Sequence, residues 1–95
     1  MVPVAELEWI EADTYYVRLH TTSGRPRLLR ERMAVLEARL DPALFVRTHR
    51  SAIVRLDRVR SIRALSRYEH VVLLASGARV PLSRDRRARL TALLG

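Results

Sequence analysis

The chain lacks cysteine, so neither a disulfide nor a thiolate zinc site can hold it together. Its three histidines show no metal-ligand spacing. Side chains of the hydrolytic-triad types are present, but no nucleophile-elbow or glycine-rich oxyanion motif accompanies them. The sequence therefore predicts no catalytic residues, no metal, no cofactor and no small-molecule substrate.

Long apolar runs are also missing. None approaches the roughly 18 residues needed to cross a bilayer, and residues 1–6 lack the basic segment of a signal peptide. We therefore expect a cytoplasmic protein without a membrane partner. A length of 95 residues predicts a single domain over residues 1–95, and a hydrophobic content of 48% excludes a disordered tail.

Aromatic residues are scarce, at 5% of the chain. Modules that bind RNA or single strands stack bases on aromatic rings, and no such pattern is visible. A general nucleic-acid-binding module, for RNA or for DNA without sequence preference, stays as the alternative because the net charge is +8 and favours a polyanion.

Lysine is absent, and all 18 basic residues are arginine. A codon bias explains that total better than a function does, so position must decide which arginines matter. Residues 1–13 carry four acidic and no basic side chains, and the basic charge lies in residues 14–95. We expect the first strand to face away from a polyanion.

The hydrophobic period along most of the chain is two, which is typical of half-buried strands. Strands are predicted at 7–12, 15–20, 45–47, 52–56, 59–64, 71–74 and 79–82. The run at 71–74 is apolar on both faces and predicts a central strand. Pro81 predicts that the last strand lies at an edge. Tyr15 and Tyr16 alternate, so we expect one in the core and the other free to contact a partner.

Two segments have the helical period. Leu29, Met33 and Leu36 begin a leucine-rich pattern that predicts a helix over 31–40, ended by Asp41-Pro42. A second helix follows Ser83, which can cap it, and its leucines at 90, 93 and 94 are expected in the core. Arginines near the start of this helix interact unfavourably with its dipole, which indicates that an external anion binds there. We expect one or two of Arg86, Arg87 and Arg89 to contact phosphates.

The most informative motif is Thr48-His49-Arg50-Ser51, set between two apolar runs. A second basic connection, Pro81-Leu82-Ser83-Arg84, follows downstream. An arginine fork can donate two hydrogen bonds to O6 and N7 of guanine, and a neighbouring serine or backbone N–H can hold a phosphate. Since strands outnumber helices, we expect DNA to be read from connections between strands and not by a helix-turn-helix.

These residues resemble a known family. The order of 9-WIEA-12, 16-YVRLH-20, 36-LEARL-40, 45-FVRTHRSAIV-54 and 80-VPLSR-84 is similar to the LytTR DNA-binding domain, the output module of many bacterial response regulators in two-component systems. The resemblance covers nearly the whole chain. It implies a mainly β fold: an elongated stack of small antiparallel β-sheets with one or two short α-helices.

The resemblance also implies function. Family members regulate transcription by binding imperfect direct repeats in promoters, so the partner is double-stranded DNA with a second copy on the adjacent repeat. Loops enter successive major grooves, and some DNA bending is expected. Carried over by position, the base-contacting residues are Arg50, Arg84 and Tyr15. Phosphate or positioning contacts come from Ser51, His49, Arg47 and Ser83, and we expect Arg50 and Arg84 in neighbouring major grooves.

The chain departs from the family at Asp13-Thr14, where a Gly-Asn turn is usual, and at Arg55, where asparagine is usual.

Overall fold

The computed structural model describes residues 2–95 and contains two antiparallel sheets. In chain order the strands are β1 (Leu7–Asp13), β2 (Tyr16–Thr21), β3 (Arg27–Leu29), β4 (Phe45–His49), β5 (Ala52–Arg55), β6 (Val59–Ala64), β7 (His70–Leu74) and β8 (Arg79–Leu82). Helix α1 (Met33–Arg39) lies between β3 and β4, and α2 (Arg87–Leu94) ends the chain. Short 3-10 turns occupy Val4–Glu6, Leu56–Arg58 and Arg84–Arg86.

The larger sheet has the strand order β3-β2-β1-β5-β4, and the smaller has the order β6-β7-β8. The mainly β architecture is therefore confirmed. As predicted, β7 is central and β8, which contains Pro81, lies at an edge. The Cα atoms extend over 37 × 24 × 22 Å, so the molecule is elongated.

Two apolar clusters cover opposite faces of the larger sheet. On one face, Ile10 and Ile53 pack with Met33 of α1. On the other face, Trp9 and Val54 join a core that includes β7, β8 and Leu90 of α2. Neighbouring residues of β1 and β5 thus point into different cores, because successive strand residues face opposite sides. Trp9 is buried in the second of these cores, and its ring stacks on His20 with centroids 4.2 Å apart.

The prediction for the first helix was wrong at its start. Leu29 belongs to β3, where it pairs with Val17 and is exposed, and α1 begins only at Met33. Pairing of the edge strand with β2 outweighed the spacing of the leucines. Glu31 lies before α1, where its Oε1 accepts a hydrogen bond from the Arg32 N–H at 2.9 Å. The predicted stop at Asp41-Pro42 is confirmed, since α1 ends at Arg39.

The prediction for the second helix was also partly wrong. Ser83 makes no side-chain cap, and a 3-10 turn separates it from α2. Leu90 is fully buried, but Leu93 and Leu94 are exposed, because a helix this short meets the sheets through one residue of its stripe. Neither helix in residues 2–95 has the length and the apolar run needed to span a membrane.

Candidate nucleic-acid interface

Three connections that the sequence singled out meet at one end of the molecule. They are the β1–β2 turn at residues 14–15, the β4–β5 turn at residues 50–51 and the segment after β8 that begins at Ser83. The backbone N–H of Ala12 donates to the carbonyl of Ser51 at 2.9 Å, and that of Ser83 donates to the carbonyl of Thr48 at 2.7 Å. The β4–β5 turn therefore lies between the other two connections.

Arg50 occupies the exposed tip of the β4–β5 turn. Its guanidinium makes no hydrogen bond and no ion pair with any residue from 2 to 95, whereas its backbone carbonyl is held at 2.7 Å by Arg47. An arginine with a fixed backbone and an uncommitted fork can donate two parallel hydrogen bonds to a partner.

Arg47 braces this turn from within the chain. Its Nη2 donates to the carbonyl of Arg50, its Nε donates to the carbonyl of His49 at 3.3 Å, and its Nη1 pairs with Glu37 of α1 at 3.0 Å. The side chain is mostly buried. Its donors are occupied by the turn and by α1, which is the arrangement of a positioning residue.

His49 and Ser51 close the turn on its other side. The backbone N–H of Ser51 donates to His49 Nδ1 at 3.2 Å, and Ser51 Oγ lies 2.8 Å from the same nitrogen. Since Nδ1 accepts, the proton of a neutral imidazole is assigned to Nε2, which is then a donor for an external acceptor.

Arg84 is exposed at the start of the 3-10 turn, and its Cζ lies 5.7 Å from the centroid of the Tyr68 ring. Its guanidinium has no carboxylate within 4.0 Å among residues 2–95. The Ser83 hydroxyl is different. Its Oγ is buried and has no hydrogen-bond partner in the described residues, so it faces the junction between β4 and β8 and not the surface.

The two tyrosines of the β1–β2 turn are both exposed, Tyr15 at 74% and Tyr16 at 44%. The expectation that one of them enters the core was wrong, because Tyr15 belongs to the turn and Val17 is the first buried residue of β2. Beside the turn lies an open cleft whose other wall includes Arg30 and Arg32. Basic side chains thus flank Tyr15.

The arginines that precede and begin α2 differ in their surroundings. Arg86 is half-buried and lines a groove with Arg89, Glu37 and β4. Arg87 is exposed, and its Nη1 lies 3.2 Å from Nε2 of the buried His70. Arg86 thus adjoins the larger sheet, whereas Arg87 adjoins the smaller one.

Most of the arginines in the described part of the chain have no carboxylate partner. Five arginines have a carboxylate within 4.0 Å: 18, 39, 47, 55 and 58. The other thirteen, all within residues 2–95, have none. They include Arg50, Arg84 and Arg87. Positive charge at this end of the molecule is therefore available to an external anion.

The acidic residues of β1 do not form a separate acidic face. Asp13, at the end of β1 beside the β4–β5 turn, pairs with Arg18 at 3.2 Å, and Glu11 contacts His20 at 2.9 Å. That the first strand faces away from a polyanion stays a prediction. Its last residues lie beside the β4–β5 turn, since Ala12 is hydrogen-bonded to Ser51, and Arg18 lies within 4.0 Å of both carboxylates.

Sequence reasoning missed three contacts that hold these connections or the two sheets in place. The contacts of Arg47 with the turn and of Tyr68 with Arg84 join residues from different elements, so no local sequence pattern predicts them. Glu8 is the third: it is 2% exposed and accepts hydrogen bonds from Arg58 and from the backbone and side chain of Ser76. The sequence did offer one indication of a buried Glu8, because this carboxylate lies between the apolar residues Leu7 and Trp9 of a predicted strand.

The chain is similar over most of its length to known proteins. The family model described as LytTr DNA-binding domain matches residues 1–95. The CO-responsive transcriptional regulator RcoM of Rhodospirillum rubrum is 40% identical over 97 residues, a match that covers 98% of this chain and 39% of that protein. The transcriptional regulatory protein LytR of Staphylococcus aureus is 30% identical over 67 residues, covering 70% and 27%.

Among solved structures, a LytTr DNA-binding domain from Bacillus cereus superimposes with a TM-score of 0.86 at 23% identity, over 99% of this chain and 85% of that one. The chain spans less than half the length of the curated relatives.

Proposed function

We propose, from the premise that this chain belongs to the LytTR family of DNA-binding domains, that it recognises specific promoter sequences through the three connections that meet at one end of the molecule. The base-contacting residues are Arg50, Arg84 and Tyr15. The partner is double-stranded DNA that carries imperfect direct repeats, with a second copy of the domain on the adjacent repeat.

One observation carries this proposal. Two backbone hydrogen bonds, Ala12 to Ser51 and Ser83 to Thr48, hold the three connections side by side. Backbone contacts between strand ends fix the relative positions of the side chains, and base readout needs such fixed positions because its hydrogen bonds are directional. A domain that bound any polyanion would need only the charge.

The order of the connections leads us to replace the expected assignment of Arg50 and Arg84 to neighbouring major grooves. Arg50 and Arg84 are each within two residues of the Thr48–Ser83 hydrogen bond, which keeps their Cα atoms within roughly 20 Å. Major grooves on one face of the duplex are about 34 Å apart. We therefore assign successive major grooves to the outer connections, which carry Tyr15 and Arg84. Arg50, between them, reads the intervening minor groove.

The remaining residues are positioning or phosphate contacts. Arg47 and Ser83 act inside the protein, by holding the β4–β5 turn and the β4–β8 junction. Arg86 and Arg87 contact phosphates, as do His49 through Nε2 and Ser51 through its exposed portion. Contacts of this kind set register and affinity and carry no sequence information.

The test begins with selection of bound duplexes from a random library by the purified 95 residues. A recovered direct repeat is the expected result. In the selected site, A·T pairs are then replaced by inosine·cytosine, which keeps the minor-groove pattern of A·T and changes the major-groove pattern. Sensitivity is expected at A·T pairs in the two major grooves entered by the connections of Tyr15 and Arg84, and tolerance at the position read by Arg50.

Alanine variants assign the roles. R50A and R84A should each cost about 1 to 3 kcal/mol at the selected site and relax preference at one position. R87A should weaken binding to all sequences alike. It should also lower by about one the magnitude of the salt slope, which is the slope of the logarithm of affinity against the logarithm of salt concentration. Equal losses for all three variants on selected and random DNA would instead identify a general nucleic-acid-binding module.

A further inference from the structure

A fourth connection lies at the same end of the molecule as the proposed reading residues. Residues 65–69 join β6 to β7, and His70, the first residue of β7, pairs with Leu82 at the end of β8. The connection therefore adjoins the segment that carries Arg84. His49, Tyr68 and Arg84 line one cleft there.

Tyr68 is the residue of this connection that contacts a proposed base reader. Its side chain is 67% exposed, and the guanidinium of Arg84 lies over its ring at 5.7 Å from the centroid. This distance is within the range of a cation–π interaction. A single exposed aromatic residue needs no explanation by itself, so the argument depends on how the ring is held and on what else contacts Arg84.

The ring is carried by a closed turn. Ser66 Oγ accepts hydrogen bonds from the backbone N–H groups of Tyr68 and Glu69 at 3.2 and 3.1 Å, and the N–H of Leu65 donates to the carbonyl of Glu69 at 2.8 Å. A serine hydroxyl that binds backbone groups two and three residues on fixes the local conformation. The backbone beneath the Tyr68 ring is thus restrained.

Arg84 has no competing partner within residues 2–95. No hydrogen bond or ion pair restrains its guanidinium, although the Glu69 carboxylate lines the same cleft. A carboxylate partner would occupy the N–H donors that a base needs. An aromatic ring attracts the cation through its π electrons and has no carboxylate oxygen to take up the N–H donors.

We infer that Tyr68 is a positioning residue for sequence readout: its ring holds the Arg84 guanidinium in the orientation that presents the donor edge to a base. The inference rests on the proposed function, in which Arg84 contacts a base pair. It adds a residue that touches no DNA itself and sets how sharply one position is discriminated.

The experiment compares Tyr68→Phe, Tyr68→Leu and the matched control Leu65→Ala, which removes exposed apolar area from the same connection. Affinity is measured by fluorescence anisotropy on the selected duplex and on duplexes changed at the position read by Arg84. Y68L should lose discrimination at that position by about two- to five-fold. Y68F, which keeps the ring, and L65A should match the wild type.

A double-mutant cycle with Arg84→Ala separates positioning from stability. In the R84A background, Y68L should cause no further loss, and discrimination at the other positions, the salt slope and the melting temperature should stay unchanged in the single variant. Ser66→Ala, which frees the turn but keeps the ring, should give a smaller loss than Y68L.

Two results overturn the inference. One is a Y68L variant that discriminates like the wild type while R84A does not. The other is an equal Y68L loss at every base position or in the absence of Arg84. Failure of the proposed function looks different, since R84A itself would then leave the base preference unchanged.

Discussion

Glu8 shows how one residue can join separate parts of this fold. A buried carboxylate is unfavourable unless charged or hydrogen-bonded partners replace its water. Here the partners come from far along the chain: Arg58, which precedes β6, donates at 3.1 Å, and Ser76 of the β7–β8 turn donates from its backbone at 3.2 Å. That turn needs Gly77, whose φ is +94°, so its geometry is fixed. Glu8 therefore connects the central strand of the larger sheet to the smaller sheet.

Removing this carboxylate should destabilise the whole domain. We expect Glu8→Ala to lower the free energy of unfolding by about 3 kcal/mol, because Arg58 and Ser76 lose their shared partner. Glu6→Ala is the control, since Glu6 is exposed and its side chain makes no hydrogen bond or ion pair within residues 2–95; its effect should stay within about 0.5 kcal/mol. Urea unfolding monitored by Trp9 fluorescence measures both, and similar midpoints would refute the assigned role.

The β4–β5 turn shows that an element can depend on a side chain outside it. The two strands are joined by Arg50 and Ser51, with a register shift between Arg47 and His49. Arg47 spans this irregular stretch by donating to two of its carbonyls. Because those bonds fix the backbone on which Arg50 is mounted, the turn and its brace form one functional unit.

Arg47→Ala should loosen the turn and weaken specific binding by roughly tenfold, about 1.4 kcal/mol, with a smaller effect on random DNA. Glu37→Ala is the matched control, because it breaks the ion pair with α1 and leaves both bonds to the turn backbone in place. It should retain most of the specific affinity. Equal losses on both DNAs, with a salt slope reduced by about one, would show that Arg47 contacts a phosphate directly.

At the scale of the whole molecule, the two sheets share one core and present the proposed reading connections at one end. The longest Cα extent, 37 Å, is close to one turn of B-DNA, about 34 Å. Under the proposed groove assignment, two connections of one rigid body enter major grooves on the same face of the duplex, and curvature of the duplex toward the protein brings both grooves within reach. Bending favours deformable steps between the contacts.

We therefore expect the bound duplex to be bent. Dyes at the two ends of a selected site should show increased energy transfer on binding. Replacing the A·T pairs between the contacts by G·C pairs, with the pair read by Arg50 kept unchanged, should weaken binding by about tenfold, and a nick in that stretch should restore it, because a nick lowers the bending cost. Unchanged energy transfer, together with indifference to the stretch and to the nick, would exclude bending.

Several features followed directly from sequence. The alternation of β6, the apolar run of β7 and Pro81 of β8 predicted those strands and their places in the sheet, because burial on one or two faces leaves a local pattern. Tertiary contacts overrode the local pattern at Leu29, which pairs with Val17, and in α2, where Leu93 meets no sheet. The spacing of leucines indicates that one face of a helix is apolar, but it does not indicate which residues cover that face.

The sequence by itself determined the strand-rich fold, the arginine-serine connections and the family, since these reside in residue types and in their order along the chain. Only the tertiary structure decided which arginines are free, which are braces and which neighbours orient them. Hydrogen bonds such as Ser83 to Thr48 and contacts such as Arg84 to Tyr68 join residues that are distant in sequence. Their geometry exists only after the two sheets have packed together.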